Sequence, residues 1–275
     1  MLKRLLGLLL FVALTLLTQV GGVVFVVCWI VARFLRQFPP WRRAVINIAL
    51  FAALYAVTSI FVVPRLAALG GRVPLPCSAT ADRPFAAASP MFCWLNRHYV
   101  DVRLVGLMTA LSRDIARQYP GTVTLFLDAN LPFINGFPLL PHLSHGDGRK
   151  LDIAYYYRGA DGGYLPGQTR SPIGYWAFEQ PGAGDTPSPC RADTWLTTRW
   201  DMRFLQGLFP DRPLEPERTR AMLRLLATDS QATGIERIFI EPYLATRLGV
   251  SSPLLGFQGC RAARHDDHIH IQIKR

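Results

Sequence analysis

Residues 5–32 and 44–63 contain no charged side chain, and each run is long enough to cross the hydrocarbon core of a bilayer. Runs of this kind decide the architecture first, because an ordinary soluble domain has no interior large enough to hide both of them. The excess of apolar residues lies at the front of the 275-residue chain, half of which is hydrophobic. The sequence therefore predicts a two-helix transmembrane hairpin over residues 1–63, with helices at about 5–32 and 44–63. A cleaved leader competes with this reading, but the first run far exceeds a signal core and the second would remain as an anchor.

Charge gives the hairpin a direction. Arg33, Arg36, Arg42 and Arg43 crowd the connecting loop, which the positive-inside tendency places in the cytoplasm with both termini outside. Lys3, Arg4, Arg65 and Arg72 flank the opposite ends and nearly balance the count. Cysteine usage favours an outward-facing C-terminal part, since Cys77, Cys93, Cys190 and Cys260 follow the membrane segment and are even in number. None has C-x-x-C spacing. Of the three pairings that four cysteines allow, Cys77 with Cys93 and Cys190 with Cys260 is the expected one.

The net charge of +11 raises the question of nucleic acid. Its arginines are scattered, several beside the membrane, and neither zinc-finger spacing nor an aromatic RNA-binding signature accompanies them, so no nucleic-acid partner is expected. A basic face would suit an anionic wall polymer equally well.

Beyond the membrane segment, residues 64–90 are rich in Pro, Ala and Gly and read as a linker. A domain is expected over 91–275. Leu104, Leu107, Met108, Leu111 and Ile115 have helical spacing within 101–119, ended by Pro120 and Gly121. A second helix is expected over 217–228. TVTLFLD, LDIAYYY, RIFIEP and HIHIQI read as strands. Together they predict an α+β domain on a small, mostly antiparallel sheet with helices packed to one side. Residues 159–199 are irregular and read as an insertion that forms a binding loop, where Trp176 and Trp195, with Trp200 just beyond, would line a groove or pack beneath it.

Five of the six histidines fall into two short clusters, His142 and His145 in PHLSHGDGRKLDI and His265, His268 and His270 in RHDDHIHIQI. Histidine is the commonest protein ligand for a transition metal, and a catalytic zinc usually takes three protein ligands. Alternation puts His268, His270 and Gln272 on one strand face and Ile269, Ile271 and Ile273 on the other. In LDIAYYY, Asp152 likewise faces away from Leu151 and Ile153. His145 precedes Asp152 by seven residues across the turn Gly146, Asp147 and Gly148. His145, Asp152 and His270 are thus the expected metal ligands, with His142 as a further candidate. Asp128 would orient a histidine or serve a turn, and Asp147 reads as a turn residue.

SHGDGRKLDI and HDDHIHI resemble the signature of the penicillin-insensitive murein endopeptidases and of the wider zinc peptidases that include the D-alanyl-D-alanine metallopeptidases. That signature is a His, an Asp seven positions on, and a distant His-x-His. The resemblance runs from about residue 96 to the C-terminus, and residues 159–199 depart from it. It implies a Zn2+ cofactor on His145, Asp152 and His270, peptidoglycan peptides as substrates, and a place in a bacterial inner membrane with the domain in the periplasm or outside the cell. It also implies active-site roles for His142 and His265, each of which would touch metal or substrate or orient a ligand through a hydrogen bond. His268 and Asp267 compete as the base, and strand geometry favours His268, two residues from His270 on the same face.

Other chemistries fit less well. No G-x-S-x-G elbow surrounds Ser144, Ser251 or Ser252, and the His145 to Asp152 spacing is wide for a non-haem iron oxygenase. A zinc-containing wall-binding or sensor protein without turnover is the alternative from another class.

Overall fold

The computed structural model describes residues 1–190, 197–228 and 234–275. Its first apolar run is not one helix. It forms two, Leu2–Thr18 and Gly21–Val31, because the chain reverses at Gln19, whose φ of 62° lies in the left-handed region. The Thr18 hydroxyl accepts from the Gly21 N–H at 2.8 Å and caps the turn. The small residues Gly21 and Gly22 allow the second helix to close on the first, since a Cβ on Gly22 would stand 1.9 Å from Thr15 Oγ1.

The second run is longer than expected. Among the described residues, Pro40–Leu69 is the one helix long and apolar enough to cross a membrane, at 30 residues or about 45 Å. Pro64 removes a helical N–H, and a wide turn over Thr58–Val62 absorbs the disruption. The expected pair of membrane-crossing helices is thereby corrected to one, accompanied by two shorter apolar helices.

The linker region also carries structure. Strand β1 (Arg72–Pro74) pairs antiparallel with β3 (Tyr99–Asp101), and β2 (Phe85–Ala87) joins the main sheet. That sheet contains β4 (Thr124–Phe126), β5 (Lys150–Ala154), β6 (Ile235–Phe239), β7 (Leu255–Gly256) and β8 (His268–Ile273), in the order β2-β4-β5-β8-β6-β7. Its centre is antiparallel. Both edge pairs, β2 with β4 and β6 with β7, are parallel, so the sheet is mixed rather than mostly antiparallel throughout. The fold class is α+β.

One face of the sheet forms the core with the helices Val102–Gln118 and Pro216–Thr228. Leu104, Met108, Leu111 and Ile115 from the first and Met222, Leu223 and Leu226 from the second pack on Leu151, Ile153, Ile269, Ile271 and Ile273. Burial of each such isoleucine contributes roughly 1.5–3 kcal/mol. A slip of one residue in β8 would put its histidines into that core, so the isoleucines fix the register. Asp101 caps the first of these helices by accepting from the Arg103 N–H at 2.9 Å.

Both disulfides expected from the sequence are present, Cys77–Cys93 and Cys190–Cys260. The second ties the long insertion to the segment just before His265. Cys28, in the apolar helix Gly21–Val31, is free.

Candidate metal centre

The opposite face of β5 and β8 carries the polar cluster. In their antiparallel register Asp152 lies directly across from His270, and Ala154 across from His268. Two adjacent strands thus deliver a carboxylate and an imidazole from the same level of the sheet. His145 arrives from a loop. Its position depends on the turn at Gly148, where φ is 81° and a Cβ would stand 3.1 Å from Arg72 Nε. Arg72 is buried and donates to the carbonyls of Leu131 and Gly146 and to Asn135 Oδ1, which clamps the loop that bears His142 and His145.

Donor atoms of His145, Asp152 and His270 lie within 4.8 Å of one another, and all three residues are buried. His145 Nε2 is 3.0 Å from His270 Nδ1 and 3.2 Å from Asp152 Oδ1, and His270 Nδ1 is 2.8 Å from the same oxygen. His145 Nδ1 donates to the Ala129 carbonyl at 2.6 Å, which fixes the tautomer and leaves Nε2 a lone pair aimed at the cluster. Burial pushes His270 down to about 4, so its ring is neutral at pH 7, the form that ligates. Two ring nitrogens and a carboxylate oxygen crowded at this distance could hold a metal ion.

Asp152 is doubly held. Its Oδ2 accepts from the Tyr175 hydroxyl at 2.6 Å, and the same hydroxyl accepts from the Asp128 N–H at 2.9 Å. Burial alone would raise the carboxyl, but His145 and His268 outweigh it and hold the group well below the usual range. Asp128 continues the support. It takes a forked pair of bonds from Arg97, at 2.5 and 2.6 Å, and accepts from His142 Nδ1 at 2.9 Å. Of the two readings open for Asp128, the structure shows the histidine-orienting one.

His142 stands outside the convergent set, its Nδ1 turned to Asp128 and 3.6 Å from Asp152 Oδ2. His265 is buried at the cleft wall, with its ring 4.9 Å from that of His268 and 5.7 Å from that of His270. Burial, then the neighbouring imidazoles, keep it well below its ordinary value and neutral.

His268 and Asp267 form a pair. Asp267 Oδ1 is bonded to His268 Nδ1, and its other oxygen accepts from the Trp176 N–H at 2.5 Å. Among the described residues, His268 Nε2 is buried without a hydrogen-bond partner, 3.6 Å from Asp152 Oδ2. Although burial opposes protonation, Asp152 and Asp267 prevail and push the imidazole up to about 9.

The cluster opens into a cleft of about 350 Å3, whose rim includes Ser144, Thr198, Gln258 and Arg261. Beside it a small hollow is lined by Trp176, Trp200 and His142. Trp195 lies outside the described residues. The insertion supplies Thr198 to the cleft and Tyr175, Trp176 and Phe178 to the hollow, and it reaches the cluster through the Tyr175 hydroxyl on Asp152 and the Trp176 N–H on Asp267. Tyr175, Arg97 and Arg72 were not legible as site residues, because each sits in a stretch without a motif and acts only through tertiary contact. A second group, Cys77, Cys93 and His98, also brings donor atoms within 4.8 Å, but its two sulfurs are bonded to each other.

No protein-family model matches the chain, and no curated protein matches it in sequence.

Proposed function

We propose that this protein is a membrane-anchored zinc metallopeptidase that hydrolyses peptide bonds of peptidoglycan, most naturally in its cross-bridges. The observation that carries the reading is the convergence of His145, Asp152 and His270 beside an aspartate-held His268 on the wall of an open cleft. Motif resemblance supplies the substrate class.

His145, Asp152 and His270 would hold the zinc, which when bound supplies Lewis-acid polarisation of a scissile carbonyl. The remaining chemistry belongs to side chains. Asp267 holds His268 at the cleft wall, where an imidazole kept protonated by Asp152 and Asp267 would give its proton to the leaving amine. His142, fixed by Asp128, and His265 stand where one can donate a hydrogen bond to oxygen as negative charge develops. Arg261 on the rim would attract the carboxylates of a wall peptide.

The helices support an outward-facing domain. With a reversal at Gln19, Met1 lies at the same end as the 33–43 loop, so Lys3 and Arg4 add to Arg33, Arg36, Arg42 and Arg43 on one side. Only Arg65 and Arg72 remain at the domain end. This count and the two disulfides, which persist in an oxidising compartment, support a domain in the periplasm or outside the cell.

Mass spectrometry of cross-linked muropeptides after incubation with the full-length protein tests the reading. Cleavage that is lost with chelator, restored by zinc and absent in His270→Ala is the expected result, and the product masses name the bond. A zinc-loaded protein that leaves the fragments intact would favour a wall-binding or sensor role.

A further inference from the structure

Residues 129–146, between Asp128 and Asp147, contain no Asp, Glu, Lys or Arg, although most of them form an irregular loop at the surface. A connection of this length normally faces water and carries charge. Here Ile134, Leu140 and Leu143 are each more than half exposed, at 56, 59 and 56%, and Phe133 is exposed beside Ile134. The backbone that bears them is held. The Gly136 N–H donates to the Gly146 carbonyl at 2.9 Å and closes the loop, Arg72 grips it at Leu131 and Gly146, and Arg97 donates to the Leu140 carbonyl at 2.9 Å. A fixed frame thus presents the exposed apolar side chains.

That frame is tied to the apolar helices at two points. The Phe133 N–H donates to Gln19 Oε1 at 2.9 Å, and Gln19 is the residue at which the first apolar run reverses. Arg97, which holds Leu140, follows Asn96, whose amide nitrogen donates to the Tyr55 hydroxyl and to Ser59 Oγ at 3.1 and 3.2 Å. Beside the reversal, Val20 packs against Val63 and Ala67, with Tyr55 alongside. With Pro40 at the near boundary of a bilayer, Tyr55 and Val63 lie roughly 22 and 35 Å along the helix and bracket the far boundary of a hydrocarbon core about 30 Å thick. Trp94, largely exposed, accepts from the Tyr55 hydroxyl through its carbonyl at 2.6 Å and stands at the same level, where Trp and Tyr are enriched in membrane proteins.

We propose that residues 132–143 form a membrane-seating loop, with Phe133, Ile134, Leu140 and Leu143 inserted among the headgroups and upper acyl chains of the leaflet on the domain side. The inference rests on reading Pro40–Leu69 as a bilayer-spanning helix. Irregular backbone cannot enter the hydrocarbon, so the side chains dip while the chain itself stays in the hydrated headgroup layer. The lack of charge then has a physical reason, since an ionised side chain at this depth would be desolvated. Lipid is the occupant that fits, because the loop is bonded to the same helices that the bilayer surrounds. Leu143 and Ser144 also line the metal cleft, so its mouth is held at the lipid surface.

The test uses Ile134→Cys, Leu143→Cys and, as a control, Arg224→Cys, each in the full-length protein with Cys28→Ser. Arg224 is exposed on the helix Pro216–Thr228, which packs on the sheet face opposite the metal cluster. Each cysteine is labelled with an environment-sensitive nitrobenzoxadiazole fluorophore, and the protein is reconstituted in phosphatidylcholine vesicles with or without a lipid that carries a nitroxide high on its acyl chain. At both loop positions the expected result is blue-shifted emission, several-fold quenching by the nitroxide lipid and protection from aqueous iodide, with the reverse at the control. Iodide quenching at either loop position as strong as at the control would overturn the proposal. Protection from iodide without quenching by the nitroxide lipid would also overturn it, because protein and not lipid would then cover the loop. Alkaline extraction of the same vesicles separates the two levels. Release of the protein overturns the membrane reading and the seating with it, whereas retention with water-exposed loop labels overturns the seating alone.

Discussion

Asp152 and His270 stand directly opposite one another on adjacent antiparallel strands, with Asp152 Oδ1 2.8 Å from His270 Nδ1. Strand pairing, not loop geometry, therefore sets the distance between two of the three candidate ligands. Since Ile269 and Ile271 are locked in the core on the other face, the pair cannot drift without disturbing the sheet.

Tyr175→Phe removes a buried donor from Asp152 and an acceptor from the Asp128 N–H while keeping the ring. Loss of such an outer hydrogen bond lowers metal affinity by about 10–100-fold, and the unsatisfied groups cost about 1–3 kcal/mol. Chelator competition and denaturant unfolding of the full-length protein in detergent read the two effects. Wild-type zinc affinity in the variant would contradict the role given to Tyr175.

Arg97→Met leaves Asp128 buried without its cation. Burial would raise this carboxyl, but Arg97 and His142 outweigh burial and hold it at about 2. The pair's stability is therefore present above the ordinary 3.8 and lost as pH falls towards 2. Removal of one partner from such a buried pair should cost about 3–5 kcal/mol, measured by urea unfolding at pH 7. Adding Asp128→Asn should recover part of that loss. If the double variant is no more stable than Arg97→Met, the uncompensated charge is not the cause.

His98 gives a pH dependence of the opposite kind. Its folded value, about 4, lies below the ordinary 6.5 because burial disfavours the cation. The unfolded chain thus binds the proton more tightly, and stability falls as pH drops from 6.5 to 4, by about 3 kcal/mol over the window. Unfolding midpoints between pH 7 and pH 4 should show this loss in the wild type and a flatter profile in His98→Gln. Parallel profiles would place the acid sensitivity elsewhere.

Arg72→Ala should loosen the loop that bears His142 and His145 without touching either ring, since Arg72 grips the loop at the Leu131 and Gly146 carbonyls and at Asn135. Faster amide exchange is expected over residues 131–146, with the β5–β8 pairing unchanged. Uniform acceleration across the sheet would mean that Arg72 supports the fold as a whole.

Periodicity made the strands around Asp152 and His270 legible, because a two-residue alternation survives into the structure wherever one face is core. The helix Val102–Gln118 was legible for the same reason at its own period. Hydropathy could not show the break at Gln19, which lies between equally apolar stretches and depends on a backbone reversal sealed by Gly21 and Gly22. Nor could it show the parallel edge strands, which are two or three residues long and gain their place from neighbours. Asp267 illustrates the limit at the site. Alternation turns it away from the His268 face, yet it sits just before β8, where the chain is free to bring its carboxylate back to the His268 ring.

The zinc content of the purified full-length protein, by inductively coupled plasma mass spectrometry, tests the central claim most directly. Wild type should carry one zinc per chain after dialysis against metal-free buffer, and Asp152→Ala and His270→Ala should each carry almost none while both disulfides remain intact. A folded wild type that retains no zinc from zinc-supplemented buffer, or variants that retain it fully, would contradict a metal centre built on His145, Asp152 and His270.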